Sequence, residues 1–308
     1  MVTTDVRHTA DGLSFITLTN ALGATVELCT LGARWTRCCV PDGEGRLGNV
    51  LVGSDDYVSD TLYRGAIVGR VANRIADASF VLDGQTFRLD ANDGRHSNHG
   101  GFCGFDRRRW DYRLLADGVC FTLTSPDGDG GYPGRVDVEA TYRWTDGCQL
   151  LLRLRATADR PTLLNPTCHA YFNLSAGQCL TIADHQLQTD ATRYVETSAD
   201  HIPTGRVPSV ATTPFDFRQG RPLGRFRFNH CFDVQSATLT DPHSGRRLQV
   251  ETSLPGLLLY TSGWSPRPFE GVCLEPQFWP DAPHHPAFRQ PLLRPGDVYD
   301  HTVNFRFS

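Results

Sequence analysis

The sequence of 308 residues contains no lysine, since all 30 of its basic residues are arginine. Schiff-base catalysis, pyridoxal-phosphate anchoring and the phosphate-loop lysine each require an ε-amine, so these mechanisms are excluded. The chain is therefore neither a lysine-dependent aldolase nor a P-loop kinase.

Signals for export, for membrane insertion and for polyanion binding are also absent. Residues 1–12 lack the basic-then-apolar pattern of a signal peptide, and no apolar run approaches the roughly 18 residues of a membrane helix. The formal net charge is only −4 and the arginines are scattered, which gives no footprint for nucleic acid or for an anionic membrane. The ten cysteines form no CxxC pair, which favours a reduced chain. We therefore expect a cytoplasmic protein with a small neutral ligand.

The sequence has instead a dense alternation of apolar and polar residues. Segments 136–144 and 302–307 alternate with period two, which is typical of strands that bury one face. Glycine and proline punctuate the whole length, and no linker or repeat marks a boundary. The pattern predicts an all-β protein, a large single-domain antiparallel β-sandwich over residues 1–308. One short helix is expected over residues 55–63, with Ser54 as its cap. Further strands are predicted over 15–18, 25–28, 80–89, 150–156 and 248–252.

Two residues stand in settings that suit proton transfer. His169 lies in NPTCHAYFNL, whose small and aromatic residues would hold an imidazole in a partly apolar pocket. Glu275 lies at the end of an apolar strand, GVCLEPQ, just before a proline that stops ladder pairing. Each has a structural alternative, which is a core histidine bonded to backbone for His169 and an ion pair with an arginine for Glu275.

Two glycine-containing segments, 69–75 and 96–102, are candidate binding loops, because glycine lets the backbone approach a ligand. The alternative for both is an ordinary solvated turn. His96 and His99 have a spacing that metal sites use, but no third ligand completes a set, so we expect no metal. Cys168 points to the opposite strand face from the histidine that follows it, and we expect a buried structural cysteine rather than a nucleophile.

Five motifs resemble the aldose 1-epimerase (galactose mutarotase) family, in the family's order and over most of the chain. They are GRVANRIA at 69–76, HGGFCGFDRRRW at 99–110, NPTCHAYFNL at 165–174, TPFDFR at 213–218 and LEPQFWPDAPHHPAF at 274–288. Each motif alone is a weak signal, but together they identify the family. Its fold is a large antiparallel β-sandwich, which agrees with the strand pattern.

The resemblance implies a mutarotase, in which His169 is the general acid and Glu275 the general base of an anomer exchange that needs no cofactor. It implies further that sugar hydroxyls or the ring oxygen are bound by Asn73, Arg74 and His99, and Gln277 is a further candidate for a substrate contact. The ligand would be a free monosaccharide, and the protein a monomer or a homodimer.

Two positions depart from the family pattern, and both normally touch sugar hydroxyls. Asn229 stands where the family usually has aspartate, and Leu258 stands where it has glutamine in a Pro-Gly-x-Gln run. Asn229 loses the charge and gains a donor, while Leu258 cannot form hydrogen bonds. We therefore predict a preferred sugar other than galactose or glucose, with 6-deoxy sugars and pentoses the first to test. The alternative is that both side chains point away, or that Trp264 or Gln277 replaces the lost contact.

Three other functions compete with this interpretation. A non-catalytic sugar-binding or sensor protein would explain the two departures, but not the retention of both His169 and Glu275. A hexose-6-phosphate 1-epimerase would hold its phosphate with arginines, for which Arg64, Arg70 and Arg267 are candidates. A glycosidase needs two carboxylates flanking the scissile bond, and only one stands in a suitable setting.

Overall fold

The computed structural model describes residues 1–308 and contains 26 strands but no α-helix. The strands are β1 (Thr3–His8), β2 (Ser14–Thr19), β3 (Thr25–Cys29), β4 (Arg34–Pro41), β5 (Leu47–Asn49), β6 (Ile67–Val68), β7 (Arg74–Ile75), β8 (Ser79–Leu82), β9 (Gln85–Arg88), β10 (Ser97–Asn98), β11 (Asp111–Leu115), β12 (Gly118–Ser125), β13 (Val136–Trp144), β14 (Gln149–Ala158), β15 (Thr162–Leu163), β16 (Thr167–Cys168), β17 (Tyr171–Phe172), β18 (Gln186–Gln188), β19 (Arg221–Pro222), β20 (Asn229–Phe232), β21 (Ser236–Thr240), β22 (Arg247–Thr252), β23 (Gly256–Tyr260), β24 (Val272–Gln277), β25 (Leu292–Leu293) and β26 (Tyr299–Phe307). Short 3₁₀ turns cover Ala76–Ala78, Phe105–Arg107, Asp129–Gly131 and Ala282–His284. The structure holds no helix that is long and apolar enough to cross a bilayer.

Three antiparallel sheets carry the architecture. The first has the order β1-β2-β3-β4-β5, the second β11-β12-β13-β14-β26-β22-β21-β18-β19, and the third β17-β24-β23-β20. The last strand, β26, lies in the middle of the nine-stranded sheet, where it pairs with β14 and β22. The two ends of the chain are therefore built into different sheets.

The three sheets share one core of 55 buried residues that runs from Ile16 to Phe307. The indole of Trp35 on β4 lies 5.7 Å from the ring of Phe172 on β17 and 5.3 Å from that of Phe305 on β26. Aromatic side chains from all three sheets thus meet between the layers. The predicted antiparallel β-sandwich is confirmed.

The alternation of the sequence is realised in the strands. Every second residue of β13 is buried, from Val136 to Trp144, and the other predicted strands correspond to β2, β3, β14, β22 and β26. Segment 80–89 is the β8–β9 hairpin, which turns at Asp83 and Gly84 with φ values of 49° and 80°. Positive φ at both turn residues is the conformation that Asp-Gly favours in a two-residue hairpin.

The helix predicted over 55–63 is wrong, because this segment is an irregular loop. Short polar side chains take up its backbone N–H groups instead of carbonyls one turn away. Ser54 Oγ accepts from the N–H of Asp56 (3.3 Å), and the carboxylate of Asp60 accepts from Leu62 (3.3 Å) and Arg64 (2.8 Å). Such local hydrogen bonds compete with helix formation at serine and aspartate.

Candidate active site

A cleft of about 620 Å³, including space open to solvent, lies over the four-stranded sheet. Its size is in the range of small-molecule sites. Its walls combine aromatic rings with histidine, asparagine and arginine side chains. The lining residues are Thr61, Leu62, Tyr63, Asn73, Arg74, Asn98, His99, His169, Tyr171, His201, Asn229, Leu258, Tyr260, Trp264 and Glu275.

Strand register brings His169 and Glu275 together. Tyr171 of β17 pairs with Cys273 of β24 in antiparallel register, so two residues back on one strand and two forward on the other meet as neighbours. His169 Nε2 lies 3.6 Å from Glu275 Oε1, and the two side chains are 6% and 1% exposed. The structure therefore joins the two predicted catalytic residues, which are 106 positions apart in the chain.

Glu275 is a buried carboxyl group without a hydrogen-bond partner at either oxygen. Its cross-strand neighbour on β23 is Leu258, which is also buried and offers no donor. Burial raises the pKa of Glu275 to about 8, against a smaller lowering by the charge of Arg74. At neutral pH the resting carboxyl group is therefore protonated and its hydrogen-bonding capacity is unused.

His169 is enclosed by rings. Its imidazole stacks on Tyr171 (centroids 5.1 Å apart, 22°) and faces Tyr63 (5.8 Å, 29°), while its Nδ1 lies 3.6 Å from Cys273 Sγ. Burial lowers the pKa of His169 to about 4, against the opposing effects of a backbone hydrogen bond and of Asp60. Between about pH 4 and 8 the His169–Glu275 pair thus holds one proton, and at rest that proton lies on the carboxyl group.

His99 is held as a neutral hydrogen-bond donor. Its Nδ1 accepts from the backbone N–H of Asn73 (3.1 Å), and its own N–H donates to the carbonyl of Asn73 (3.1 Å). Burial and the nearby His169 lower the pKa of His99 well below its ordinary value, so the ring stays neutral with its proton on Nε2. A side chain at Gly100 would lie 1.9 Å from the carbonyl oxygen of Gly69, so this close approach of the two loops requires glycine.

The other predicted binding residues fall into two groups. Arg74, Asn229 and Leu258 line the cleft; Arg74 donates from Nε to Asp93 (2.8 Å), and its Nη groups have no protein partner. Gln277 does not line the cleft. It lies fully buried two residues beyond Glu275 on the same strand face, and its amide has no hydrogen-bond partner.

The donor atoms of His169, Cys273 and Glu275 lie within 4.8 Å of one another, so this group has the spacing of a metal site. Its chemistry fits a cation poorly, because burial raises the pKa of Cys273 well above its ordinary value, whereas a metal ligand must be a thiolate. His96 is not part of the group; its Nδ1 accepts from the N–H of Asp77 (3.1 Å).

Comparison with known proteins agrees with this arrangement of side chains. The family model described as aldose 1-epimerase matches residues 14–306. A galactose mutarotase from Bos taurus is 39% identical over 92% of this chain and 91% of its own, and an aldose 1-epimerase from Haemophilus influenzae is 36% identical over 95% of both. The crystal structure of an aldose epimerase homologue from C. elegans superimposes with a TM-score of 0.92 at 31% identity, covering 96% of this chain and 99% of that one.

The chain belongs to the aldose 1-epimerase family. It is an isomerase that interconverts the α and β anomers of a monosaccharide. The arginines suggested for a phosphate do not line the cleft of this family member. Arg70 is buried against Ser125 and Pro126, while Arg64 and Arg267 both pair with Glu270.

Sequence reasoning missed most of the aromatic wall. Tyr171 and Tyr260 each lie two positions from a predicted site residue on a strand, His169 and Leu258, so period-two alternation was a usable signal for both. Tyr63 falls in the segment predicted as a helix. His201 and Trp264 lie on loops, and their rings meet 4.9 Å apart; no local pattern brings these two segments together.

Proposed function

We propose that this epimerase opens and closes the sugar ring with Glu275 as the general base and His169 as the general acid. Opening removes the proton of the C1 hydroxyl while the ring oxygen is protonated; after rotation about C1–C2, closure on the other face restores both protons. The observation that carries the proposal is the pair itself: two buried proton carriers 3.6 Å apart, with both carboxylate oxygens unpartnered in the cleft.

The single proton of the pair supplies the reaction. The resting carboxyl group keeps the proton because no donor stabilises its charged form. A C1 hydroxyl that donates to Glu275 would favour the carboxylate, and the proton would move to His169 without any change in the total count. Substrate binding would thereby create the ionised base and the protonated acid that ring opening requires.

The polar rim would hold the sugar over this pair. His99 would donate from Nε2 and Arg74 from its free Nη groups, to hydroxyls or to the developing charge at the ring oxygen. Asn73 presents its backbone to His99 and its side-chain oxygen to the N–H of Arg74 (2.8 Å), so its main role would be to orient both donors. Tyr260 and Trp264, which stack in parallel at 6.2 Å, would face the apolar side of the ring.

The preferred sugar remains part of the proposal. Several relatives carry the name galactose mutarotase, so galactose is one candidate substrate. Leu258 opposes that choice, because it lies beside the base and leaves any hydroxyl directed at β23 without a partner. We favour a monosaccharide that lacks this hydroxyl or presents it elsewhere.

The whole chain would act as one catalytic unit in a reducing compartment such as the cytoplasm. The cleft draws residues from Thr61 to Glu275, and all ten cysteines are free thiols, which suits a reducing environment. A monomer or a homodimer would serve equally, since one chain supplies every residue of the proposed site.

Polarimetry of freshly dissolved α-anomers tests the proposal. We expect the wild-type protein to accelerate the approach to the anomeric equilibrium and His169→Asn to lose a factor of about 10² or more in kcat. A circular dichroism melt checks that the variant is folded. Near-normal kcat in a folded His169→Asn protein would remove this residue from the mechanism.

A further inference from the structure

Tyr63 has an unusual backbone for a bulky residue. Its φ of 58° lies in the left-handed region, which costs a non-glycine residue free energy and is kept where surrounding contacts fix it. Its ring centroid lies 4.7 Å from that of His99 and 5.8 Å from that of His169. The strained position therefore places a ring across both histidines of the cleft.

Four buried charged side chains, which we call the Asp60 network, lie next to this residue: Arg34, Asp60, Arg64 and Glu270. The carboxylate of Asp60 accepts from Arg34 Nη1 (3.1 Å) and from Arg64 Nη1 (2.9 Å). Arg64 Nη2 donates to Glu270 Oε1 (2.8 Å). The four side chains are at most 11% exposed, and two guanidinium groups balance two carboxylates.

The network holds the backbone as well as the side chains of the segment. Asp60 accepts from the N–H of Arg64 (2.8 Å), and Arg34 Nη1 donates to the carbonyl of Arg64 (2.8 Å). The next residue, Gly65, donates from its N–H to the carbonyl of His169 (2.9 Å). Arg64, which follows Tyr63 directly, is therefore fixed at its N–H, its carbonyl and both ends of its guanidinium group.

None of the four network side chains lines the cleft, so their charges do not contact the substrate. Buried ion pairs add little net stability compared with apolar replacements, but they hold one geometry when all partners are present. A costly network beside a strained residue is explained if that residue must occupy one position.

We infer that the Asp60 network holds Tyr63 across His169, and that Tyr63 is a positioning residue for proton transfer. The ring covers one face of the imidazole while Tyr171 covers the other. Rotation of the imidazole is restricted and water is excluded, so Nε2 stays directed at Glu275. The inference rests on the proposed roles of His169 and Glu275.

A double-mutant cycle between Arg64 and Tyr63 tests this coupling. Arg64→Met removes the link but leaves Arg34 paired with Asp60, and Glu270 paired with Arg267 (2.9 Å). We expect Arg64→Met to lower kcat about tenfold in the wild-type background, with KM changed by less than about threefold. In the Tyr63→Ala background we expect no further loss, because the ring through which Arg64 acts is gone.

Two control variants sharpen the cycle. Arg294→Met removes a half-exposed surface pair with Asp83 and should leave kcat unchanged in both backgrounds. Tyr63→Phe keeps the ring and should retain the coupling to Arg64. If Arg64→Met fails to melt cooperatively, Glu270→Gln replaces it with the same expectations.

Equal losses of kcat for Arg64→Met in both backgrounds would overturn the inference, since the arginine would then act without Tyr63. An unchanged kcat in the wild-type background would also overturn it. A wild-type protein that fails to interconvert anomers of any monosaccharide contradicts the proposed function instead, and the inference is lost with it.

Discussion

Two buried carboxyl groups of this protein have opposite surroundings. Asp60 receives hydrogen bonds from two guanidinium groups and two backbone N–H groups, whereas Glu275 receives none. Both side chains are shielded from water, so burial alone does not distinguish them. The difference is that Asp60 has its partners within the fold, while Glu275 faces a cleft from which a partner must come. An unsatisfied buried carboxyl group therefore marks the place where the substrate completes the structure.

Removal of Glu275 should have the largest effect on activity and little effect on stability. Glu275→Gln keeps the volume but removes the transferred proton, so we expect kcat to fall by a factor of about 10² to 10⁴. At neutral pH a protonated carboxyl group is exchanged for an amide, so the free energy of unfolding should change little. Polarimetry and urea unfolding measure the two quantities.

The matched change at the satisfied carboxylate should reverse this pattern. Asp60→Asn leaves two buried guanidinium groups short of charge, which typically costs about 3–5 kcal/mol of unfolding free energy. If Asp60→Asn is as stable as the wild type, or if Glu275→Gln unfolds, the distinction between the two carboxyl groups is wrong.

Stability should also depend on pH at Glu275. Its pKa is higher in the folded state than in the unfolded chain, so the protonated form contributes stability that is lost as the pH rises through about 8. Glu275→Gln cannot ionise, so above this pH it should become more stable than the wild type. Urea unfolding of both proteins at pH 6 and at pH 9.5 compares them; an equal loss in the two proteins contradicts the assignment.

The activity should follow the single proton of the His169–Glu275 pair. Below about pH 4 both groups are protonated and neither accepts a proton; above about pH 8 neither has one to give. We expect kcat/KM to fall on both sides, by about tenfold per pH unit at the limits. A rate that stays level from pH 5 to pH 10 would show that the pair does not carry the reaction.

The fold was predictable from local patterns, while the electrostatics of the site were not. Alternation in segments such as 136–144 depends only on which face of a strand is buried, so the sandwich follows from the sequence. The motifs also placed His169 and Glu275 in one site. The resting proton on Glu275 could not be predicted, because it depends on the absence of donors on neighbouring strands, including the apolar Leu258. The Asp60 network was missed for a similar reason, since its members come from four separate segments.

The two departures in the cleft should change specificity by a moderate factor. Asn229→Asp together with Leu258→Gln restores hydrogen-bonding groups beside the base, each contact worth about 1–3 kcal/mol to a matching hydroxyl. We expect kcat/KM for galactose to rise by about tenfold or more, and kcat/KM for 6-deoxy sugars or pentoses to fall relative to it. The conservative change Leu258→Met should leave the ratio unaltered. If the double variant does not change the order of the sugars, these positions do not set specificity.

Removal of metal ions should have no effect on turnover. The donor atoms of His169, Cys273 and Glu275 are close enough to share a cation, but the proposed reaction needs two proton carriers and no Lewis acid. The raised pKa of Cys273 also disfavours the thiolate that a metal would require. We therefore expect full activity after dialysis against a strong chelator, measured by polarimetry in metal-free buffer. A loss of activity that zinc restores would assign these three residues to a metal centre, and the unpartnered oxygens of Glu275 would then be ligands rather than a base.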